Sequence, residues 1–317
     1  MNAPRTRVQR RPVHGVLLLD KPLGLSSNEA LQKAKWLLRA EKAGHTGTLD
    51  PLATGVLPLC FGAATKFSQL HLDADKTYET TLRLGVTTRT GDAEGEVIQR
   101  QAVACTPGQV VEVLDRFTGA IVQVPPMHSA LKKEGKALYE YARQGQEVER
   151  TPRTVTIHAL ELLDMRLHGE APSLRLRVHC SKGTYIRTLG EDIGQALGCG
   201  AHLAELRRVA TGGFALDQCV TLAHIEALPE AERCRLLQPV EALLAGHPRV
   251  TLDSDNAARF LSGMRRRGHW SDAPLVAVWG DRPRALLGTG QVRGGELIAQ
   301  RLLSPEEIRQ ILQAHSS

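Results

Sequence analysis

Residues 43–65 read AGHTGTLDPLATGVLPLCFGAAT, a glycine-rich turn running into an apolar stretch, and the single formal charge among them is Asp50. Four glycines let backbone approach a ligand or another strand closely, and no Lys or Arg lies near enough in sequence to pair with the acid. Any ionic partner of Asp50 must therefore come from elsewhere in the chain. A tight turn capped by an Asx side chain is the alternative, because Asp-Pro commonly starts turns. Taken alone, the stretch supports both readings. Its second half, residues 56–61, has the length and composition of a buried strand, and a short helix is expected to run on to Leu72.

Working outward, the apolar run at 15–19 reads as another buried strand, followed by the turn Asp20-Lys21-Pro22-Leu23-Gly24. Ser26 and Glu29 form a capping-box pair ahead of Ala30, Leu31, Ala34, Leu37 and Leu38, which predicts a helix over 27–39. Residues 77–86 are β-rich. From 105 to 153 the pattern is mostly helical, and within it VPPMHSALKKEGKALYEYARQGQEVER carries charge suited to a solvated helix or a loop. Strands are expected at 154–167 and 173–180, where Leu174, Leu176 and Val178 alternate with Arg175, Arg177 and His179, giving one wet, basic face. A helix from Ser181 to Leu197 would carry Tyr185 and Arg187 in its first turn, and 202–210 reads as strand. The segment 245–248 marks a domain boundary. Beyond it lies a Gly- and Arg-rich tail with short strands.

The chain has 317 residues, 42% of them hydrophobic, enough for two domains. Its formal charge is +6 with arginine clusters at 10–11, 207–208 and 265–267, which favours a polyanionic partner. At 4%, aromatics are too few for a platform that stacks successive bases of a long single strand, so a nucleic-acid partner should be structured. Six scattered cysteines without CxxC spacing point to reduced thiols, and Cys199 with His202 lacks the second pair that a zinc site needs. No metal or cofactor is expected. The amino terminus has arginines but no apolar core segment, and no long apolar run occurs, so the expectation is a soluble, cytoplasmic protein whose residues 1–12 form a basic flexible arm.

A lone loop carboxylate supports several chemistries. An aspartyl-phosphate route in its common form needs a second Asp two residues on, and position 52 is Leu. A glycosidase needs a second carboxylate, and Asp92, Glu94 and Glu96 sit on a turn-like segment with no anchoring motif. Covalent attack on a nucleotide needs neither.

Five blocks, in order, carry a resemblance to a known family: LLLDKPLGLSSNEAL, GHTGTLDPLATGVLPLC, DKTYETTLRLGVTTRTGDAEGEV, SKGTYIRTLGEDIG and HLAELRRVATGGF. Over residues 14–216 the chain resembles the TruB family of tRNA pseudouridine synthases. The tail from Arg249, with its Gly288-Thr289-Gly290 turn and GGELIAQRLL, is similar to a small PUA β-barrel. The resemblance implies an α+β pseudouridine synthase fold, a mixed and largely antiparallel sheet flanked by helices, over 13–246, with a PUA-like domain over 249–317. It also implies isomerisation of uridine 55 in the tRNA T loop, with Asp50 as nucleophile, Arg187 as its ionic partner and Tyr78 packed on the target base. His45 would contact the RNA, Tyr185 and Leu206 would line the pocket, and Lys21 and Pro22 would brace the nucleophile loop. Residues 124–153, with Lys132, Lys133 and Lys136, correspond to an insertion that clamps the T stem. The partner would be the tRNA T stem-loop, met by a monomer with no membrane contact and no obligatory protein partner. A non-catalytic RNA-folding protein on the same scaffold is the alternative, and it would not need the Asp50 carboxylate.

Overall fold

In the computed structural model, residues 9–129 and 131–315 are described. Most of the expected basic arm, residues 1–8, lies outside them. Arg11 departs from that expectation: its amide donates to the Arg39 carbonyl, and its guanidinium reaches Cys234 Sγ at 3.3 Å.

Strand β1 (Gly15–Lys21) is buried along nearly its whole length. Helix α1 (Ser27–Leu37) starts where the capping box places it, with Ser26 Oγ accepting from the Glu29 amide and Glu29 accepting from the Ser26 amide. The buried stripe is Ala30, Leu31, Ala34 and Leu37. The helix ends two residues before the predicted limit, because Arg39 takes a left-handed φ of 52°. Strands β2 (Ala43–His45) and β3 (Ala53–Phe61) follow, then a 3₁₀ turn at Gly62–Lys66 and α2 (Ser68–Leu72). Strand β4 (Lys76–Leu84) buries alternate residues, and a small hairpin forms from β5 (Val86–Thr88) and β6 (Val97–Arg100).

Helical character is restricted in the stretch 105–153. Helix α3 (Pro107–Arg116) is present, but β7 (Gly119–Gln123) is a strand, followed by the two-residue strands β8 (Lys132–Lys133) and β9 (Lys136–Ala137) and a short α4 (Leu138–Arg143). Tertiary pairing explains β7, because its backbone completes the sheet edge along β10 (Arg153–Arg166). Strand β11 (Ser173–Cys180) shows the expected alternation. Arg175 and Arg177 on its wet face are not free charges, since both pair with Glu79 at 2.8 and 2.9 Å. Helix α5 (Ile186–Ala196) begins five residues later than predicted, and the long β12 (Ala201–Thr211), short β13 (Phe214–Ala215) and α6 (Leu222–Ala227) complete this part of the chain.

The main sheet has the order β1-β3-β12-β4-β11-β10-β7, with β2 and β13 paired at its side. Every pairing is antiparallel except β3 with β12. Helix α5 lies close on this sheet because two of its residues have no side chain. A Cβ on Gly190 would come within 2.8 Å of Leu82 Cδ2, and one on Gly194 within 2.3 Å of the Ala201 amide nitrogen. Each glycine costs the helix about 1 kcal/mol relative to alanine. The return is a fixed height of Arg187 above the strands.

The tail contains β14 (Arg249–Leu252), α7 (Ser254–Leu261), β15 (Arg266–Arg267), β16 (Ala273–Asp281), β17 (Arg284–Arg293), β18 (Glu296–Leu302) and α8 (Pro305–His315). Its five-stranded sheet, ordered β14-β16-β17-β18-β15, has its own core around Val278 and Phe260. A second apolar cluster joins tail to main sheet: Ala277, Leu286 and Leu303 pack with Val16, Val56, Phe67 and Leu243. Lys66 reinforces that seam, donating to the Leu302 carbonyl at 2.9 Å and pairing with Glu307 at 2.6 Å.

Candidate active site

The turn between β2 and β3 is held from below by α1 and its preceding loop. Ser27 Oγ accepts from the Leu49 amide at 2.7 Å and donates to the Leu49 carbonyl at 2.9 Å, both buried. Lys21 is fully buried and donates to the carbonyls of Pro22, Leu25 and Pro51. Burial lowers its pKa to about 8. The amide of Ala53 closes the turn on the Asp50 carbonyl. Asp50 is thus fixed by its neighbours' backbone while its side chain points away from them.

That side chain faces a cleft of about 590 Å³, within the range of small-molecule sites. Tyr78, Tyr185, Arg187 and Leu206 line it together with Asp50. Four elements meet here: the turn, β4, the start of α5 and β12. His45, at the end of β2, is half-buried and is not part of the cleft lining. Burial, with the charge of Arg208, lowers its pKa, so it is a neutral imidazole at pH 7.

Arg187 organises the cleft. It is only 5% exposed, unlike a surface arginine at a helix end. One nitrogen, Nη2, lies 3.0 Å from Asp50 Oδ2 and donates to the His128 carbonyl at 2.6 Å. The other, Nη1, donates to the Thr90 carbonyl at 3.2 Å and lies 3.8 Å from Asp92 Oδ2. The guanidinium therefore sits between two carboxylates. Asp92 is 3% exposed and accepts from Thr90 Oγ1 and the Glu94 amide, whereas Asp50 keeps 42% of its side-chain surface open to the cleft. The buried acid anchors the cation. The open acid is presented to whatever enters.

Asp92 is the residue that the sequence reading passed over as part of an unanchored turn. It is buried because the β5–β6 hairpin folds back against β12, through a bridge between Asp92 and Leu203. The segment Thr-Gly-Asp at 90–92 was the available signal, an acid flanked by its own hydrogen-bond donor.

Three charges set the ionisation of Asp50. The cleft walls displace enough water to raise its pKa above the ordinary carboxylate value. Arg187 opposes this, Asp92 adds to it and Lys21 opposes it. The carboxylate is consequently more basic than a solvated one and is still held by a cation. Tyr78 is 9% exposed, and burial raises its phenol pKa despite the cation of Arg208 beside it. Such a pocket suits an uncharged planar ligand placed between an aromatic face, an apolar Leu206 and a carboxylate.

The Ser181-Lys182-Gly183-Thr184 segment is a turn, and Tyr185 is the residue preceding α5. Gln123, buried on β7, fixes Tyr185 by bonding both its amide and its carbonyl. The guanidinium of Arg153 lies over the Tyr185 ring, 4.8 Å from its centroid. The segment 124–153 reaches the cleft through the His128 carbonyl, Ser129, Leu131 and Arg153. Among the described residues no three His, Cys, Asp or Glu side chains converge to hold a metal ion, and no helix is long and apolar enough to cross a membrane. His202 is occupied with the Val86 carbonyl at 2.9 Å.

Comparison with known proteins agrees along the chain. Residues 35–186 match the TruB family pseudouridylate synthase N-terminal domain, 187–245 the tRNA pseudouridylate synthase B C-terminal domain, and 248–303 the pseudouridine synthase II TruB C-terminal domain. The tRNA pseudouridine synthase B of Verminephrobacter eiseniae is 66% identical over 98% of this chain and 95% of its own. That of Cupriavidus pinatubonensis is 60% identical over 94% and 96%. Among solved structures, a chain of a Cbf5-Nop10-Gar1 complex superposes with a TM-score of 0.69 at 27% identity, covering 97% of this chain and 89% of that one.

Proposed function

The chain belongs to the TruB family of pseudouridylate synthases, and from that premise we propose that it isomerises uridine 55 in the T loop of tRNA through Asp50. It is an enzyme of the tRNA pseudouridine synthase class with a pseudouridine synthase fold and a PUA-like tail. The single observation that carries the mechanism is the open carboxylate of Asp50 held 3.0 Å from a buried Arg187.

The target uridine leaves the stack of its loop, at a cost of a few kcal/mol, and enters the cleft. Tyr78 packs on the base, Leu206 lines it and Tyr185 closes the side. Asp50, ionised, attacks the nucleotide. The bond from N1 to C1′ breaks, the uracil turns, C5 bonds to C1′, and the C5 proton passes to solvent while N1 takes one up, as Asp50 is released. Product and substrate are isomers, so no redox cofactor is consumed. Arg187 keeps Asp50 charged and aimed throughout, with Asp92 holding the cation in place.

Binding energy from outside the cleft offsets the extrusion. Lys132, Lys133 and Lys136 in the insertion over 124–153 supply phosphate contacts to the T stem, and His45 contacts the RNA beside the cleft. In the tail domain, Arg293 and Arg267, the latter paired with Glu296 at 3.0 Å, flank a hollow with His269 and the Gly294-Gly295 turn, a second surface for RNA phosphate. The protein acts as a monomer in the cytoplasm.

Product mapping tests the reading. Unmodified tRNA transcript incubated with the protein should acquire pseudouridine at position 55, and a transcript with cytidine there should acquire none in the T loop. Modification elsewhere with position 55 untouched would refute it.

A further inference from the structure

A second arginine belongs to the same cleft and has no role in the reading above. Arg208 on β12 is 1% exposed, and its side chain is the largest of the fully buried ones. Among the described residues no carboxylate lies within ion-pairing distance of it. A buried cation without a counter-ion is costly, and such a group persists only where polar atoms surround it or where function requires it.

Its surroundings are all polar atoms of the active site. Nε donates to the Val56 carbonyl at 2.7 Å, and Nη2 to the Gly47 carbonyl at 3.1 Å. Arg208 and Tyr78 are cross-strand partners in the β12–β4 register, so their side chains leave the sheet on one face, and the Arg208 charge opposes the rise that burial causes in the pKa of the Tyr78 phenol. Two carbonyls on either side of Asp50 share one guanidinium, which makes it a grip on the turn that carries the acid.

The glycines of the opening stretch fit that grip. A Cβ on Gly47, which has φ of 79°, would stand 3.3 Å from Arg208 Nη1. One on Gly55, with φ of 100°, would lie 2.1 Å from the Arg208 carbonyl oxygen. Both glycines let the nucleophile turn press on Arg208, one at its side chain and one at its backbone.

We propose that Arg208 is a positioning residue for the isomerisation, tying both ends of the Asp50 turn into one rigid unit beside Tyr78. The inference rests on the reading that Asp50 and Tyr78 carry the reaction. It assigns no direct contact between Arg208 and the RNA. Lys76, 8% exposed and also lining the cleft, is no substitute, because its ammonium is spent on the carbonyls of Leu72 and Ala74.

Single-turnover release of label from tRNA carrying tritium on uracil C5 tests this, with enzyme in excess and with wild type and Arg208→Gln. Loss of the grip should slow Arg208→Gln by about 100-fold, the scale of a small misplacement of reacting groups, while tRNA affinity by filter binding stays within about twofold of wild type. An unchanged rate in Arg208→Gln, or an equal loss of affinity, would overturn the proposal. Should Arg208→Gln not fold, Arg208→Lys decides, since an ammonium cannot hold both carbonyls in a planar fork: a wild-type rate overturns the proposal and a slow, tightly binding variant supports it. Wild type that releases no label refutes the proposed function itself, which separates the two failures.

Discussion

Two buried arginines stand on opposite sides of one cleft, and they are stabilised by different means. Arg187 is surrounded by two carboxylates and two carbonyls and faces Asp50, the proposed nucleophile. Arg208 is held by two carbonyls and faces the turn that carries Asp50. The contrast separates two needs of the chemistry. Charge on the nucleophile requires a cation within reach, and its placement requires a rigid turn. A carboxylate beside Arg208 would neutralise it and add a third acid to a site that must keep Asp50 ionised.

The comparison fails first if Arg187 proves dispensable. Arg187→Met should abolish detectable turnover and destabilise the fold by about 3–5 kcal/mol, because Asp92 is left as a buried, unpaired charge. A cooperative melt at the wild-type temperature would contradict the assignment of Asp92 as its anchor.

Asp92→Asn should be milder, slowing single turnover by about 100-fold through misplacement of Arg187. It should also shift the acid limb of the rate profile. Asp92 raises the pKa of Asp50, so its neutralisation makes Asp50 easier to ionise and moves that limb to lower pH. Lys21→Met should move it upward, since Lys21 lowers the same pKa. The stability sign is the reverse of the activity sign. With its folded pKa raised, Asp50 contributes stability below the ordinary carboxylate value near 3.9, and loses it as pH rises through the displaced value. Activity is gained over that same window.

The smallest effect belongs to the tail. Replacing Arg267 and Arg293 by serine should leave single turnover at saturating enzyme unchanged, weaken tRNA binding, and reduce the slope of log affinity against log salt by about 1–2. An unchanged slope would remove that hollow from the RNA surface.

Much of the scaffold is legible in the sequence, because local rules and tertiary contacts agree there. The Ser26–Glu29 box and the alternation in 173–180 fix α1 and β11 from their own side chains. Strand β7 was hidden, since Gly119–Gln123 is a short apolar run whose strand character comes from β10. Asp92 was hidden for the same reason: its partner lies 95 residues away, and only the folded hairpin buries it. For Arg208, the adjacent Arg207 masked the difference between a half-buried residue paired with Asp20 and one fully enclosed. Period-two alternation distinguishes their faces, but it does not reveal which face encloses a cation.

The central claim is that the Asp50 carboxylate performs the covalent step, and tritium release from C5-labelled tRNA by Asp50→Asn tests it most directly. The variant should bind tRNA with wild-type affinity and release no label above the enzyme-free control. Release at any measurable catalytic rate would contradict the account.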